Sequence, residues 1–401
     1  MKKNLWITCL LVIGAAACGF FIGKNNAETK AKAESAALQE SFNTDLEAYK
    51  AAETTYKAEI GAYEAERDLN IQLNRSELEG LGEISGPIYV TGHKSPDSDT
   101  VCSAVAYAAL LQKLGYDAHP AVLGSVNNET LFILEKAGVE VPALLEDASG
   151  LNMVLVDHSE YIQSAEGMKD ANVITIIDHH GDGNVNTANR LIYDARPIGS
   201  TAAIIWMRYR NYGVEIDKST AELLFGAILS DTSNFKSTTT TFADREAVKF
   251  LGEIAEISDT DAYYQELYKA SLSYARKTDE EILFSDYKEY ESGGKKFSIG
   301  VVQAYDDKTA RDLAERMKAV LPAAQASTGV DLAMAQIAIF HDGLSVTYLV
   351  PSDEYTDEVI RAAFGDTAVF DGTSYVITPG FSRRQVLVPA ISDVLAAHPG
   401  E

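Results

Sequence analysis

The sequence predicts an α/β protein. A parallel sheet with helices on both faces is followed by a smaller α/β domain and preceded by a transmembrane helix and a long helical stalk. Three observations carry that reading. Short apolar runs, two of them ending in aspartate, alternate with helical patterns through residues 87–257, as strands and helices do in a parallel sheet. Lys2 and Lys3 precede an uncharged run at residues 5–23, just long enough to cross a hydrocarbon core of about 30 Å. Between these, residues 27–73 are rich in Ala, Glu and Lys, lack proline and hold Gly61 as their single glycine, a composition that favours helix.

Residues 1–24 read as an uncleaved membrane anchor. A signal peptide or lipoprotein signal ending at Ala16-Ala17-Cys18 is the alternative, opposed by the apolar Gly19-Phe20-Phe21-Ile22 that follows. A short basic amino end held in the cytoplasm would place the body outside the cytoplasmic membrane. Residues 25–80 read as the stalk. Phe42, Tyr49, Tyr56 and Tyr63 recur every seven residues, with Leu38, Leu46 and Ile60 beside them, which is a coiled-coil period. Asp45, Ala52, Glu59 and Glu66 are poor as alternate seam positions. A single exposed helix and a self-associating one therefore both remain open.

The body divides into residues 85–272 and 278–401, with a linker near residues 271–277. In the first part, residues 87–90, 153–156 and 173–177 read as buried strands, and residues 103–114, 200–212, 220–229 and 243–257 as helices. In the second, residues 295–303, 332–340 and 344–350 read as strands, residues 310–321 as a helix, and another helix closes the chain after Pro389. Ligands of such sheets gather at the carboxyl ends of the strands.

The net charge of −25 excludes non-specific binding to a nucleic-acid backbone. A small polyanion would be repelled too, unless cations and basic side chains are concentrated at one site. Cys9, Cys18 and Cys102 form neither a disulfide framework nor a CxxC zinc pair.

Four acidic or histidine-bearing clusters follow in order: Gly92-His93-Lys94-Ser95-Pro96-Asp97-Ser98-Asp99, Asp157-His158, Asp178-His179-His180, and Ser230-Asp231-Thr232. Four of the seven histidines fall within them. Each cluster alone fits a turn or a helix cap. Together, at the ends of apolar segments, they suit hard divalent cations, with imidazole favouring manganese or iron over calcium. Two such ions about 4 Å apart need a shared carboxylate, and a water between them becomes a nucleophile near neutral pH. Their charge would also cancel the repulsion of a polyanion.

At these residues the sequence resembles the DHH phosphoesterase superfamily, and within it the manganese-dependent (family II) inorganic pyrophosphatases. His93, Pro96, Asp97 and Asp99 match GHxxPDxD; Val156, Asp157 and His158 match VDH; Asp178, His179 and His180 match DHH; Ser230, Asp231 and Thr232 match SD[ST]; Ser382, Arg383 and Arg384 match SR[KR]. The resemblance runs from about residue 87 to the carboxyl end. It implies two or more divalent ions, Mn2+ foremost and Co2+ or Mg2+ as alternatives. His93 and Asp97 would hold one, Asp99, His179 and Asp231 the other, and Asp157 would bridge them. His180 would contact substrate and donate a proton, with Lys288, Arg383 and Arg384 as further phosphate contacts. The implied reaction is hydrolysis of pyrophosphate, or a short polyphosphate, by a bridging hydroxide. Ser159 and Gly181 stand where the family usually has Asn and Arg, and Arg384 where it usually has Lys. Exopolyphosphatase or nucleotide phosphodiesterase activity, and a membrane-bound sensor or scaffold without turnover, are the rival readings. A homo-oligomer through the stalk or the DHH domain, and no nucleic-acid partner, complete the expectations.

Overall fold

The computed structural model describes residues 26–341 and 343–397. The anchor expected at residues 1–24 lies outside the described residues. Among those described, no helix is long and apolar enough to cross a membrane. The chain divides into two compact units that meet between Ser76 and Glu77.

The first unit is helix α1, Asn26–Gly80, whose last turn belongs to the second unit. Its 55 residues contain no proline, and Gly61 is the single glycine before its last residue. Its Lys side chains pair with Glu one turn away, Lys50 with Glu47 at 2.9 Å and Lys57 with Glu53 at 2.8 Å.

The second unit holds two six-stranded sheets. The first comprises β1 (Ile88–Thr91), β2 (Ala118–Val122), β3 (Ala143–Leu144), β4 (Asn152–Val156), β5 (Asn172–Asp178) and β6 (Ile192–Ala195). All its pairings are parallel, in the order β3-β2-β1-β4-β5-β6. Met153–Val156 and Val173–Ile177 are buried throughout, as strands covered on both faces must be. The chain winds one way from β1 to β3 and the other from β4 to β6. The carboxyl ends of β1 and β4 therefore flank a topological switch point, where the crevice of such a sheet opens.

Helix α2 spans Ser98–Lys113 rather than starting at residue 103. Asp97 caps it, accepting a hydrogen bond from the Thr100 amide at 2.9 Å. The capped turn lets the polar Ser98-Asp99-Thr100 enter the helix, which the apolar pattern alone did not show. Helices α3 (Asn128–Ala137), α4 (Thr201–Asn211), α5 (Lys218–Asp231), α6 (Phe242–Ala255) and α7 (Thr260–Ser271) complete this part. Tyr107, Tyr209, Tyr212 and Phe225 are among the largest side chains buried in its core. Asp231 is the last residue of α5, two residues beyond the expected end of that helix.

The second sheet comprises β7 (Tyr287–Ser292), β8 (Lys295–Gln303), β9 (Leu332–His341), β10 (Leu344–Pro351), β11 (Val369–Phe370) and β12 (Tyr375–Ile377), in the order β11-β12-β10-β9-β8-β7. It is mixed. β8 and β9 are parallel, joined by the helix Asp307–Thr328, and the other neighbours are antiparallel. The helix Val388–Ala397 closes the described chain, with Pro389 in its first turn, where no intrahelical N–H is needed.

Candidate active site

The switch point collects the acidic and imidazole side chains. His93 and Asp97 follow β1, Asp157 follows β4, Asp178 ends β5 with His179 and His180 after it, and Asp231 ends α5. Three groups of side chains have ligand atoms within 4.8 Å of one another: His93 with Asp97 and Asp157; Asp99 with His179 and Asp231; and Asp157 with His179 and His180. Asp157 belongs to two of these groups, so it stands between the His93 side and the His179 side.

The distances are set by the backbone. His93 Nε2 lies 3.5 Å from both Asp97 Oδ2 and Asp157 Oδ2. His179 Nε2 lies 3.3 Å from Asp157 Oδ1, 3.3 Å from Asp231 Oδ2 and 3.9 Å from Asp99 Oδ2. Asp157 takes φ 64°, a left-handed conformation strained for a residue with a side chain. Two hydroxyls fix its carboxylate: Thr100 Oγ1 donates to Oδ2 at 2.7 Å and Thr201 Oγ1 to Oδ1 at 3.1 Å. The amino end of α4 addresses Asp99, whose carboxylate accepts from the Thr201 amide at 2.6 Å and the Ala202 amide at 2.9 Å. Free N–H groups at a helix start suit a buried anion. Asp97 uses one oxygen as the cap of α2 and turns the other to His93.

The cluster is electrostatically unbalanced on its own. Burial, then repulsion from Asp157 and Asp231, pushes Asp99 well up from the usual carboxylate range. Asp231 is pushed up to about 7 by burial and by Asp157 and Asp97, against the pull of His179. Burial disfavours charge on His93 and His179, but the carboxylates of Asp157 and Asp97 beside the first, and of Asp157, Asp99 and Asp231 beside the second, raise each to about 10. Asp157 goes the other way, since burial is outweighed by the His179 and His93 rings beside it. The pocket thus favours positive charge.

The donor set fits divalent cations. His179 Nε2 is buried and has no hydrogen-bond partner, although it points among three carboxylates. Its other nitrogen, Nδ1, lies 3.0 Å from the Ile198 carbonyl. A proton donated there leaves the Nε2 lone pair facing the cluster, the usual arrangement of a metal-ligating histidine. Four carboxylates and two imidazoles suit manganese-type ions better than soft ones.

His180 is different. Its ring is half exposed, with Nδ1 3.0 Å from Asp178 Oδ1 and 3.7 Å from Asp157 Oδ1. The hydrogen bond to Asp178 raises its affinity for a proton despite partial burial. Asp178 also takes the His180 amide at 3.0 Å and the Ser159 hydroxyl at 3.2 Å. His158 does not join the cluster, since its nitrogens face the Val156 carbonyl and Ser164, each at 3.0 Å.

Among the described residues, no hydrogen bond or ion pair links Lys288, Arg383 or Arg384 to the cluster. Lys288 is exposed on β7, opposite Ile299. Arg383 is held within the second sheet's domain by the Asp286 carbonyl and carboxylate, both at 2.7 Å, and by the Ile299 carbonyl at 3.3 Å. Arg384 is exposed.

Thr100, Thr201 and the orienting role of Asp178 escaped the sequence reading. Gly92 tests the first. A Cβ at Gly92 would lie 2.1 Å from Thr100 Cγ2, so Gly92→Ala must push Thr100 off Asp157. Titration of the purified protein with a divalent cation should show affinity 10- to 100-fold weaker. Thr100→Val, which keeps the shape and removes the hydroxyl, should weaken binding about tenfold.

Residues 87–228 match the DHH family, N-terminal domain, and residues 265–394 match the DHHA2 domain. The chain is similar to the manganese-dependent inorganic pyrophosphatase of Bacillus subtilis, at 35% identity over 311 residues covering 77% of this chain and 99% of that protein. It is 43% identical over 315 residues to a probable manganese-dependent inorganic pyrophosphatase of an Exiguobacterium species, covering 76% of this chain and 98% of that one. A crystal structure of a putative family II inorganic pyrophosphatase from Methanococcus jannaschii is 35% identical, with TM-score 0.47, covering 77% of this chain and 99% of that one. The family matches begin at residue 87, so helix α1 lies ahead of them. Over its two sheets, this chain belongs to the manganese-dependent, family II inorganic pyrophosphatases, built from a DHH and a DHHA2 domain.

Proposed function

We propose that this protein hydrolyses inorganic pyrophosphate to two phosphates with a pair of manganese ions. His93 and Asp97 would hold one ion, Asp99, His179 and Asp231 the other, with Asp157 between them. The observation that carries this reading is the convergence of six side chains from four separate segments, with Asp157 within reach of both His93 and His179. When bound, such ions neutralise phosphate charge and acidify a shared water.

The chain's own residues do the rest. Asp178 holds the Nδ1–H of His180 and raises the ring's affinity for a second proton, so the cationic ring would carry a proton on Nε2 to a phosphate oxygen, give it to the leaving phosphate, and be left neutral with its Nδ1 proton on Asp178. Lys288 and Arg384 are exposed cations for the outer phosphate oxygens. Arg383, gripped by Asp286, would set the position of its neighbour or exchange partners when substrate arrives. The family relationship supports the substrate, since the relatives' names specify pyrophosphate. The apolar run at residues 5–23 would anchor the chain, with the body on the extracytoplasmic side.

The test uses the full-length chain stripped with a chelator and reloaded with manganese. Phosphate release should be restored by manganese and be fastest from pyrophosphate. Faster release from tripolyphosphate would favour an exopolyphosphatase, and hydrolysis of a dinucleotide a phosphodiesterase. Binding of pyrophosphate without turnover would favour a sensor.

A further inference from the structure

The face of α1 that carries the aromatic repeat is open. Tyr49 is 49% exposed, Tyr56 60% and Tyr63 68%. With Phe42, Tyr49, Tyr56 and Tyr63 as one seam position, the residues four places on are Leu46, Glu53, Ile60 and Arg67. This alternation of four and three is the knobs-into-holes spacing, and it extends over about 38 Å of helix from Phe42 to Arg67. A straight helix drifts about 20° per heptad from a strict seven-residue repeat. Four aromatic rings at intervals of seven therefore share one seam only when the helix coils around a partner of the same period.

The two charged seam residues are already balanced within their own helix. Glu53 is paired with Lys57 at 2.8 Å and Arg67 with Asp68 at 2.9 Å. Neither brings an unpaired charge to a partner.

The flanks select the occupant. One edge of the seam carries Asp45, Ala52, Glu59 and Glu66, and the other Asn43, Lys50, Lys57 and Glu64. In a parallel pair each residue of the first edge meets the partner residue five places on. Asp45 then meets Lys50 and Ala52 meets Lys57, while Glu59 faces Glu64 and, across the seam, Glu53 and Arg67 each face their own copy with their charges already paired to Lys57 and Asp68. In an antiparallel pair the acidic edge meets itself and Lys50 and Lys57 meet each other, which disfavours that arrangement. We infer that α1 is a dimerisation element, pairing with α1 of a second copy as a parallel, in-register coiled coil through Phe42, Tyr49, Tyr56 and Tyr63. This is independent of the hydrolytic reading.

Cysteine cross-linking of the full-length chain in detergent tests it, with Cys9 and Cys18 replaced by serine and Cys102 left buried. Phe42→Cys and Tyr63→Cys should each give disulfide-linked dimers under mild oxidation. Ala58→Cys, on the opposite face, should not. Adding Tyr49→Glu and Tyr56→Glu should abolish the Tyr63→Cys cross-link while pyrophosphate hydrolysis is unchanged. Cross-links formed only between Phe42→Cys and Tyr63→Cys chains, no seam cross-link, equal cross-linking at Ala58→Cys, or a cross-link that survives the double glutamate change would each overturn the inference.

Discussion

Asp157→Ala lowers manganese-dependent phosphate release from pyrophosphate by about 10³-fold or more, equivalent to roughly 4 kcal/mol of transition-state stabilisation. The expectation follows from the position of this carboxylate. Its Oδ2 lies 3.5 Å from His93 Nε2 and its Oδ1 3.3 Å from His179 Nε2, so one side chain serves both halves of the cluster. No neighbour can replace it. Thr100 and Thr201, which hold it, are neutral, and Asp178 is committed to His180 and Ser159. The protein should stay folded, because removing Asp157 also relieves repulsion on Asp99 and Asp231. A steady-state assay paired with a thermal melt separates lost chemistry from lost structure. Turnover within tenfold of the parent would end the bridging role.

The second large effect is on stability. Arg208 is buried in α4, with Nε 2.7 Å from Asp194 Oδ2 and one terminal nitrogen 2.8 Å from the Tyr212 hydroxyl, and it also pairs with Glu77 at the base of α1. Arg208→Met leaves Asp194 buried without this partner, a loss of about 3–4 kcal/mol in denaturant unfolding. The pH dependence has a definite sign. Burial raises the Asp194 pKa, but Arg196 and Arg208 more than offset this and hold it below the ordinary 3.8. The ionised carboxylate therefore contributes stability above that value and loses it as pH falls through the folded pKa. In Arg208→Met that pKa rises, so the acid limb of the stability curve should begin at higher pH. An unchanged acid limb would show that Arg196 alone suffices.

The same residues explain what the sequence made legible. β1, β4 and β5 stood out because buried parallel strands are apolar on both faces, and their ends carry the aspartates and histidines in chain order. β2 was hidden by His119 and Pro120, since proline argues against an interior strand. β6 was hidden by Asp194, a charged residue at an inward position that only Arg196 and Arg208, 2 and 14 residues on, make tolerable. The metal-type ligands were readable because few side chain types can do that chemistry. Thr100 and Thr201 were not, because a hydroxyl's partner is set by tertiary structure, 57 and 44 residues away from Asp157 in these two cases. Asp97 was read both as a cap and as a candidate ligand, and the structure shows that its two oxygens permit both.

The central claim is that Asp157 sits between two cation sites, and manganese electron paramagnetic resonance on the full-length chain tests it most directly. Titration should saturate at two ions per chain with the exchange-coupled signal of ions a few ångströms apart, and Asp157→Ala should convert it to the signal of isolated ions. A single uncoupled ion in the parent protein, or coupling unchanged by Asp157→Ala, would contradict the account.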